Sequence, residues 1–169
     1  SGLELGEAKL HPEGLRIEES IDRVLAIVAA RVAEKGLTIR KEISGELPLI
    51  MADRDRLVQI LLNILDNAIR YTPAGGSIIG SVVRQDDRAV VSIEDTGIGI
   101  PEEHLPFIFD RFYRVDKVRT DGEGGTGLGL AIATTITKMH GGSIEVESRV
   151  GDGTMFKIQL PLAGPPQKP

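Results

Sequence analysis

Two carboxamides and one guanidinium are spaced so that a helix would project them from a common face. Asn63, Asn67 and Arg70 stand at positions i, i+4 and i+7 of a predicted second helix, beside a wide apolar stripe. Neutral amide oxygens one turn apart suit a hard cation such as Mg²⁺, which keeps water and nucleotide phosphates among its ligands. A solvated polar stripe would show the same three residues, so the helix alone leaves both interpretations open.

A carboxylate ends a predicted strand on the face that points inward. Asp95 continues the apolar alternation of the strand over Arg88–Asp95, so its burial would require a hydrogen-bond donor. Gly97 and Gly99 follow, and their lack of side chains would let a flat ligand approach the backbone. We favour an exocyclic amine such as that of adenine as the donor; the alternative is a turn in which Asp95 caps local amides.

A glycine-rich segment runs directly into the predicted third helix. Residues Gly122–Leu130 contain five of the chain's 20 glycines. Such backbone at a helix N-terminus offers N–H groups and a positive dipole end, which favour phosphate, and Thr126 could add a hydroxyl. A P-loop is excluded because no Lys-Ser or Lys-Thr follows the last glycine. We favour phosphate binding over a flexible linker because an apolar helix follows immediately.

The segment 101–125 carries no sustained helical or strand period. It is longer than the roughly 12–15 residues beyond which structureless loops are usually functional or disordered. Its aromatic residues are Phe107, Phe109, Phe112 and Tyr113, and its cations are Arg111, Arg114, Lys117 and Arg119. Aromatic anchors, cations and a glycine-rich end describe a lid over phosphates, a partner-docking loop, or both.

The elements that must position these groups belong to one small domain. The chain has 169 residues, a net charge of −5 and no cysteine, which excludes disulfides and zinc ribbons and disfavours a surface that wraps nucleic acid. The longest apolar run, 24–30, is far shorter than the roughly 20 residues of a membrane span. We expect residues 1–9 to be a cloning scar and the remnant of an upstream helix, 10–163 to form the domain, and 164–169 to be a disordered tail.

Helices and strands alternate along the domain. Periodicity predicts helices near 18–35, 55–71 and 129–140, with Asp53 as the N-cap of the second and Gly36 ending the first. Strands are predicted over 37–43, 77–84, 88–95, 143–148 and 154–160. The sum is an α+β fold: a two-layer sandwich with a mixed, mostly antiparallel sheet of about five strands, and three helices on one face.

Five segments stand in the order and spacing of one family's motifs: 63–71 (NILDNAIRY), 95–101 (DTGIGIP), 107–116 (FIFDRFYRVD), 125–132 (GTGLGLAI) and 151–156 (GDGTMF). They resemble the N, G1, F and G2 boxes and the closing Gly-Thr strand signature of bacterial two-component sensor histidine kinases. The resemblance covers residues from about 15 to 162. It implies the Bergerat fold of the GHKL superfamily, with ATP and Mg²⁺ as ligands and an ATP lid over 101–125.

The resemblance also implies a role for each site residue. Asn67, helped by Asn63, would position Mg²⁺, Arg70 and Arg114 would reach phosphates, and Asp95 would accept from the adenine amine. The implied catalytic residues are Asn63, Asn67 and Arg114. The implied nucleotide contacts are Asn63, Asn67, Arg70, Tyr71, Asp95, Gly97, Gly99, Ile100, Arg114, Thr126, Gly127, Leu128 and Gly129.

Position 63 separates the branches of that superfamily. Its ATPases carry a Glu one turn before the Mg²⁺-binding Asn, and this Glu activates water. Asn63 cannot accept a proton usefully, so the γ-phosphoryl group should be kept for a protein acceptor. Asp66 is another candidate base, but its position is rotated off the shared face and we interpret it as a surface residue. His140 is interpreted as a helix C-terminal residue favoured by the helix dipole.

The phospho-acceptor motif of such kinases is missing, because none of His11, His104 and His140 is followed by the acidic residue and Pro that the motif requires. We therefore expect a cytoplasmic, monomeric catalytic domain that phosphorylates a His on a separate dimerisation domain of the same parent protein. That parent could be membrane-anchored and would engage a response regulator receiver domain, with no nucleic acid involved. The alternatives are a GHKL-type ATPase, an anti-sigma-factor-like serine kinase, or a nucleotide-sensing scaffold without catalysis.

Overall fold

The computed structural model describes residues 9–115 and 127–163. Three α-helices, seven strands and one short 3₁₀ helix follow one another in these ranges. The elements are β1 (Glu13–Leu15), α1 (Ile17–Lys35), β2 (Thr38–Ile43), β3 (Ile50–Ala52), α2 (Arg54–Tyr71), β4 (Ser77–Gln85), β5 (Arg88–Asp95), the 3₁₀ helix (Glu102–Phe107), α3 (Gly129–Met139), β6 (Ser143–Arg149) and β7 (Gly153–Pro161).

Five strands form the main sheet in the order β2-β4-β5-β7-β6. Strand β2 pairs with β4 in parallel, and the other three pairings are antiparallel. The alternate residues that point towards the helices join one buried core with the apolar faces of α1, α2 and α3. The predicted α+β fold with a mixed five-stranded sheet is confirmed.

Two short strands were not predicted from the sequence. β1 and β3 form a separate antiparallel pair, in which Leu15 lies opposite Ile50. Ile50 also bridges to Leu162, so this pair joins the chain segment before α1 to the end of β7. Strands of three residues are too short to show the alternation on which strand prediction depends.

The caps of the first two helices are those that the sequence predicts. Gly36 ends α1 in the left-handed conformation, with φ of +78°, and Leu37 donates its N–H to Val32. Asp53 caps α2, because its Oδ1 accepts from the N–H of Arg56 at 3.0 Å. The capped helix α2 is the element that carries most of the site residues.

His140 joins the end of α3 to the start of α2. Its Nε2 accepts from the backbone N–H of Asp53 at 3.0 Å, and its Nδ1 lies 2.8 Å from the carbonyl oxygen of Ile136. A backbone N–H can only donate, so Nε2 carries no proton and Nδ1 donates to Ile136. His140 therefore stands at the C-terminal end of α3, as predicted, and it is also a buried link to the start of α2.

Candidate nucleotide-binding site

One large cavity opens between α2, the start of α3 and the edge of the sheet at the end of β5. Its volume is about 1010 Å³, at the upper end of the range of small-molecule sites. The predicted site residues on its wall are Asn63, Asn67, Arg70, Tyr71, Asp95, Gly99, Ile100, Arg114, Gly127, Leu128 and Gly129. Four distant sequence segments thus converge on one space, as their motifs predict.

Helix α2 presents its predicted polar face to the cavity. The Nδ2 of Asn63 donates to the carbonyl oxygen of Gly129 at 3.0 Å, which fixes the carboxamide and ties α2 to the first residue of α3. Asn67 also lines the cavity, and within residues 9–115 and 127–163 its side chain makes no hydrogen bond. Asn63 and Asn67 thus face a shared concave space rather than a convex outer surface of the helix.

Asp66 keeps 38% of its side chain exposed, in line with the sequence-based interpretation, and it also lies on the cavity wall. Its Oδ1 pairs with Arg31 of α1 and its Oδ2 with Arg70, both at 2.7 Å. Burial alone would raise the pKa of Asp66, but the hydrogen bonds from Arg70 and Arg31 outweigh it and hold the pKa below its usual value. A carboxylate with a lowered pKa and both oxygens engaged is a poor general base.

Asp95 satisfies its local backbone and still faces the cavity. The side chain is buried, with 6% of the residue exposed. Its Oδ1 accepts from the N–H of Gly97 at 2.8 Å and of Thr154 at 3.2 Å, whereas Oδ2 has no hydrogen bond in the described part of the chain. The two predicted alternatives for Asp95 are therefore compatible, because one oxygen caps the turn and the other is left for a ligand.

Burial also sets the ionisation of Asp95. Loss of solvation raises its pKa above the usual value for a carboxyl group, and the two backbone hydrogen bonds only partly offset this effect. An ionised carboxylate held in an apolar wall gains most from a donor that reaches its unused oxygen. An exocyclic amine is such a donor.

The glycines after β5 pack against protein backbone more than against open space. Gly97 is buried behind Asp95 and is not among the described residues that line the cavity; a Cβ there would lie 2.5 Å from the carbonyl oxygen of Tyr71. Gly99 does line the cavity, but its φ is +78° and a Cβ would lie 2.1 Å from the carbonyl oxygen of Arg149. Close packing on α2 therefore explains why position 97 has no side chain, and the contact of Gly97 with the nucleotide stays a prediction.

A backbone hydrogen bond joins the described part of the predicted lid to the glycine-rich backbone at the start of α3. Phe112 donates its N–H to the carbonyl oxygen of Gly127 at 2.7 Å, and a Cβ on Gly127 would lie 2.6 Å from the Cα of Phe112. The backbone of Gly127–Gly129 then enters α3 at the cavity wall. Thr126, like Lys117 and Arg119, lies outside the described residues.

Aromatic side chains anchor the part of the lid before this contact. The ring of Phe109 packs edge-on against that of Phe156 of β7, with centroids 6.1 Å apart. His104 of the 3₁₀ helix hydrogen-bonds to the hydroxyl of Tyr113, which lines the cavity. Phe107 and Phe112 are exposed, so only Phe109 and Tyr113 of the four predicted anchors pack against the core in the described portion. The 3₁₀ helix was not predicted from the sequence.

Several residues on the cavity wall were missed or left without a role by the sequence analysis. They are Lys35, Gln59, Pro73, Ile98, Ile108, Tyr113, Val115, Leu130, Ile132, Thr154 and Phe156. Thr154 could have been found, because it lies in the closing motif and its N–H reaches Asp95. Lys35 carries no such signal, since a lysine in the last turn of a helix is common for dipole reasons alone.

The described residues show neither a cluster of common metal ligands nor a membrane-spanning helix. No group of three or more His, Cys, Asp or Glu side chains in residues 9–115 and 127–163 could hold a metal ion. None of the helices described is both long and apolar enough to cross a bilayer.

The fold and the cavity together define a nucleotide-binding domain of the ATPase kind, with carboxamides, a buried carboxylate and a helix N-terminus around one space. Residues 52–164 match the family of histidine kinase-, DNA gyrase B- and HSP90-like ATPases. The chain belongs to this family.

Related proteins place the chain within one branch of the family. It is 39% identical over 168 residues to the sensor protein SrrB of Staphylococcus aureus, covering 93% of this chain and 28% of SrrB. The catalytic domain of histidine kinase ThkA, in a nucleotide-free form, superposes with a TM-score of 0.80 and 30% identity, covering 90% of this chain and 97% of that domain. Full-length ShkA in complex with AMPPNP superposes with a TM-score of 0.85 and 32% identity, covering 98% of this chain and 35% of ShkA. The chain is thus a histidine kinase ATP-binding catalytic domain, and it spans less than a third of the length of the curated relatives that it matches.

Proposed function

We propose that this domain binds Mg·ATP in the cavity and presents the γ-phosphoryl group to a histidine on a separate dimerisation domain of its parent protein, as a step of two-component signalling. The observation that carries the proposal is the chemistry of the α2 wall. Asn63 stands where the family's ATPases have a carboxylate base, and Asp66 is held by two guanidinium groups. Among the described residues of this wall, a γ-phosphoryl group meets cations and amides, and no available base for water.

The adenine end of the nucleotide would lie against Asp95. The unused Oδ2 accepts from the exocyclic amine, while Oδ1 stays bonded to Gly97 and Thr154. Ile100 lines the same wall, and its backbone N–H donates to the hydroxyl of Ser148 at 2.8 Å, which holds the turn after β5 in place. The acceptor that reads the base is therefore fixed before any ligand arrives, which lowers the ordering cost of binding.

The phosphates would lie between the start of α3 and two guanidinium groups. The backbone of Gly127–Gly129 brings the positive end of the α3 dipole to the cavity, and Arg70 and Arg114 line it from α2 and from the lid. Phosphoryl transfer depends on positioning and charge neutralisation, which these groups can supply without a covalent nucleophile.

The amides of α2 fit a magnesium ion carried by the nucleotide. The side chain of Asn67 makes no hydrogen bond within the described residues, and the bond from Asn63 Nδ2 to Gly129 leaves Oδ1 as an acceptor at the cavity. Mg²⁺ would neutralise phosphate charge there when bound. Asn67 and Asn63 are the residues that we propose to hold it, with water and phosphate oxygens completing the shell.

The three histidines of the chain are badly placed to accept the phosphoryl group. Both ring nitrogens of His140 are engaged with Asp53 and Ile136, and His104 is bonded to Tyr113. His11 donates its backbone N–H to Asp53 at the start of α2, about 25 Å along the helix axis from Arg70. The acceptor is therefore expected on another domain.

The remaining partners follow from the same assignment. A histidine kinase, ThkA, has been solved in complex with the response regulator protein TrrA, and it superposes with a TM-score of 0.75 and 27% identity. We propose a response regulator receiver domain as the downstream partner here, a cytoplasmic location, and a monomeric isolated domain that binds no nucleic acid.

Incubation with γ-labelled ATP tests the proposed function. The domain is mixed with Mg²⁺, labelled ATP and the dimerisation fragment of the parent protein, with a fragment whose acceptor His is replaced by Gln as the control. We expect acid-labile label on the fragment that carries the acceptor His and none on the Gln variant. We also expect little release of phosphate from ATP when neither fragment is present. Brisk hydrolysis of ATP with no transfer to the fragment would identify an ATPase instead.

A further inference from the structure

Two cations of α1 reach across to the wall of the cavity on α2. Arg31 and Lys35 stand one turn apart, so they project from the same face of α1. Arg31 pairs with the Oδ1 of Asp66 at 2.7 Å. The Nζ of Lys35 donates to the carbonyl oxygens of Ile69 at 2.7 Å and Arg70 at 2.8 Å. Both contacts end on the helical turn that carries Arg70.

The first contact continues to Arg70 through a carboxylate. Asp66 holds Arg31 on one oxygen and the Nη2 of Arg70 on the other, both at 2.7 Å. Only about a fifth of the Arg70 side chain is exposed, compared with 38% of Asp66 and 47% of Arg31. The guanidinium at the cavity is thus restrained by an ion-pair chain that begins on the outside of α1.

The second contact fixes the main chain of the same turn. The last carbonyl groups of a helix have no partner within that helix, and an ammonium group at this negative end is favourable. Lys35 binds two of these carbonyls. The next carbonyl, that of Tyr71, accepts from the N–H of Ile98 at 3.2 Å, so the turn also supports the segment that follows Asp95.

We propose that Arg31 and Lys35 are positioning residues for nucleotide binding: Arg31 orients the Arg70 side chain through Asp66, and Lys35 holds the last turn of α2 at the cavity wall. The inference rests on the proposed function, since it assigns Arg70 and Tyr71 to the nucleotide. Neither cation is itself required to be a phosphate ligand. Helix α1 thereby becomes part of the site although its apolar face serves only the core.

Calorimetry with Mg·ADP on the domain itself tests the proposal. Arg31→Met and Lys35→Met keep an unbranched stem and remove the cation. We expect the Kd to rise about threefold for Arg31→Met, the scale of a half-exposed ion pair, and at least about fivefold for Lys35→Met, which loses two charge-assisted hydrogen bonds. Lys138→Met, at an exposed site in the last turn of α3, is the matched control and should bind like the wild type.

Three further variants separate positioning from general destabilisation. Asp66→Asn should reproduce the effect of Arg31→Met, and the double variant should be no weaker than either single one, because all three break the same chain. Lys35→Arg retains donors and should bind more tightly than Lys35→Met. The proposal would be overturned if the losses of affinity caused by Arg31→Met and Asp66→Asn added in full in the double variant. It would also be overturned if the variants bound Mg·ADP with an unchanged Kd and only a lower stoichiometry. If the wild type itself fails to bind Mg·ADP, the proposed function has failed rather than this inference.

Discussion

Replacing Gly99 with alanine tests whether the turn after β5 is shaped by protein packing. The residue adopts φ of +78°, a conformation that costs a residue with a Cβ about 1–2 kcal/mol. The new Cβ would also lie 2.1 Å from the carbonyl oxygen of Arg149, so one of the two backbones must move, at a typical overpacking cost of about 1–3 kcal/mol. We therefore expect Gly99→Ala to lower the free energy of unfolding by about 2–5 kcal/mol.

Gly151 provides a matched control from the facing turn. It has φ of +88° but no heavy atom within 4 Å of a Cβ, and its N–H donates to the carbonyl oxygen of Ile98 at 2.9 Å. Gly151→Ala should therefore cost only the conformational part, about 1–2 kcal/mol. Urea unfolding gives both values, and titration with Mg·ADP should show weaker binding for Gly99→Ala alone. Equal destabilisation by the two substitutions would refute the packing argument.

Three further substitutions test the packing of β4, the adenine contact and the cap of α2. Gly80→Ala should stabilise the fold by about 0.5–1 kcal/mol, because its Cβ would enter a small apolar gap under β4 with no heavy atom within 4 Å. Asp95→Asn should weaken adenine nucleotide binding at least about tenfold, since an amide group presents a donor to the exocyclic amine, without lowering stability at pH 7. Asp53→Ala should cost about 2 kcal/mol through loss of the α2 cap and of the His11 contact, whereas Asp55→Ala at the exposed first turn should have little effect.

The expectation for Asp95 includes a pH dependence with a defined sign. Burial raises the pKa of Asp95 above its value in the unfolded chain, so the stability contributed by this group is fully present below the unfolded pKa and is lost as pH rises through the folded pKa. Urea titrations at a series of pH values should show this decline of stability in the wild type and not in Asp95→Asn. A steeper decline in the variant, or unchanged ADP affinity, would contradict the role assigned to Asp95. For Gly80 and Asp53, urea midpoints that move in the opposite direction would contradict the packing and capping arguments.

The elements with long periodic patterns were predictable from the sequence. The apolar stripe of α2 and the capping side chain of Asp53 fix the helix, and the spacing of Asn63 and Asn67 then requires both to face the same way. The inward placement of Asp95 follows from strand alternation alone. These predictions succeed because each depends on neighbours within one turn or one strand.

The errors arose where the deciding partner is far away in the sequence. The ion pair of Asp66 was missed from helix geometry, because its partner Arg31 lies on another helix. The packing requirement for Gly97 was missed, because the carbonyl oxygen of Tyr71, on another element, occupies the space where its Cβ would be. The periodic pattern within α2 or β5 contains no information about a contact partner on another element, because only the tertiary fold brings that partner near.

A crystal structure of the domain with Mg²⁺ and a non-hydrolysable ATP analogue tests the central claim most directly. The account predicts the adenine amine within about 3 Å of the Oδ2 of Asp95, the metal beside Asn67, and the triphosphate at the start of α3. A base bound elsewhere on the domain, or a cavity closed by the protein's own side chains at saturating analogue, would contradict it.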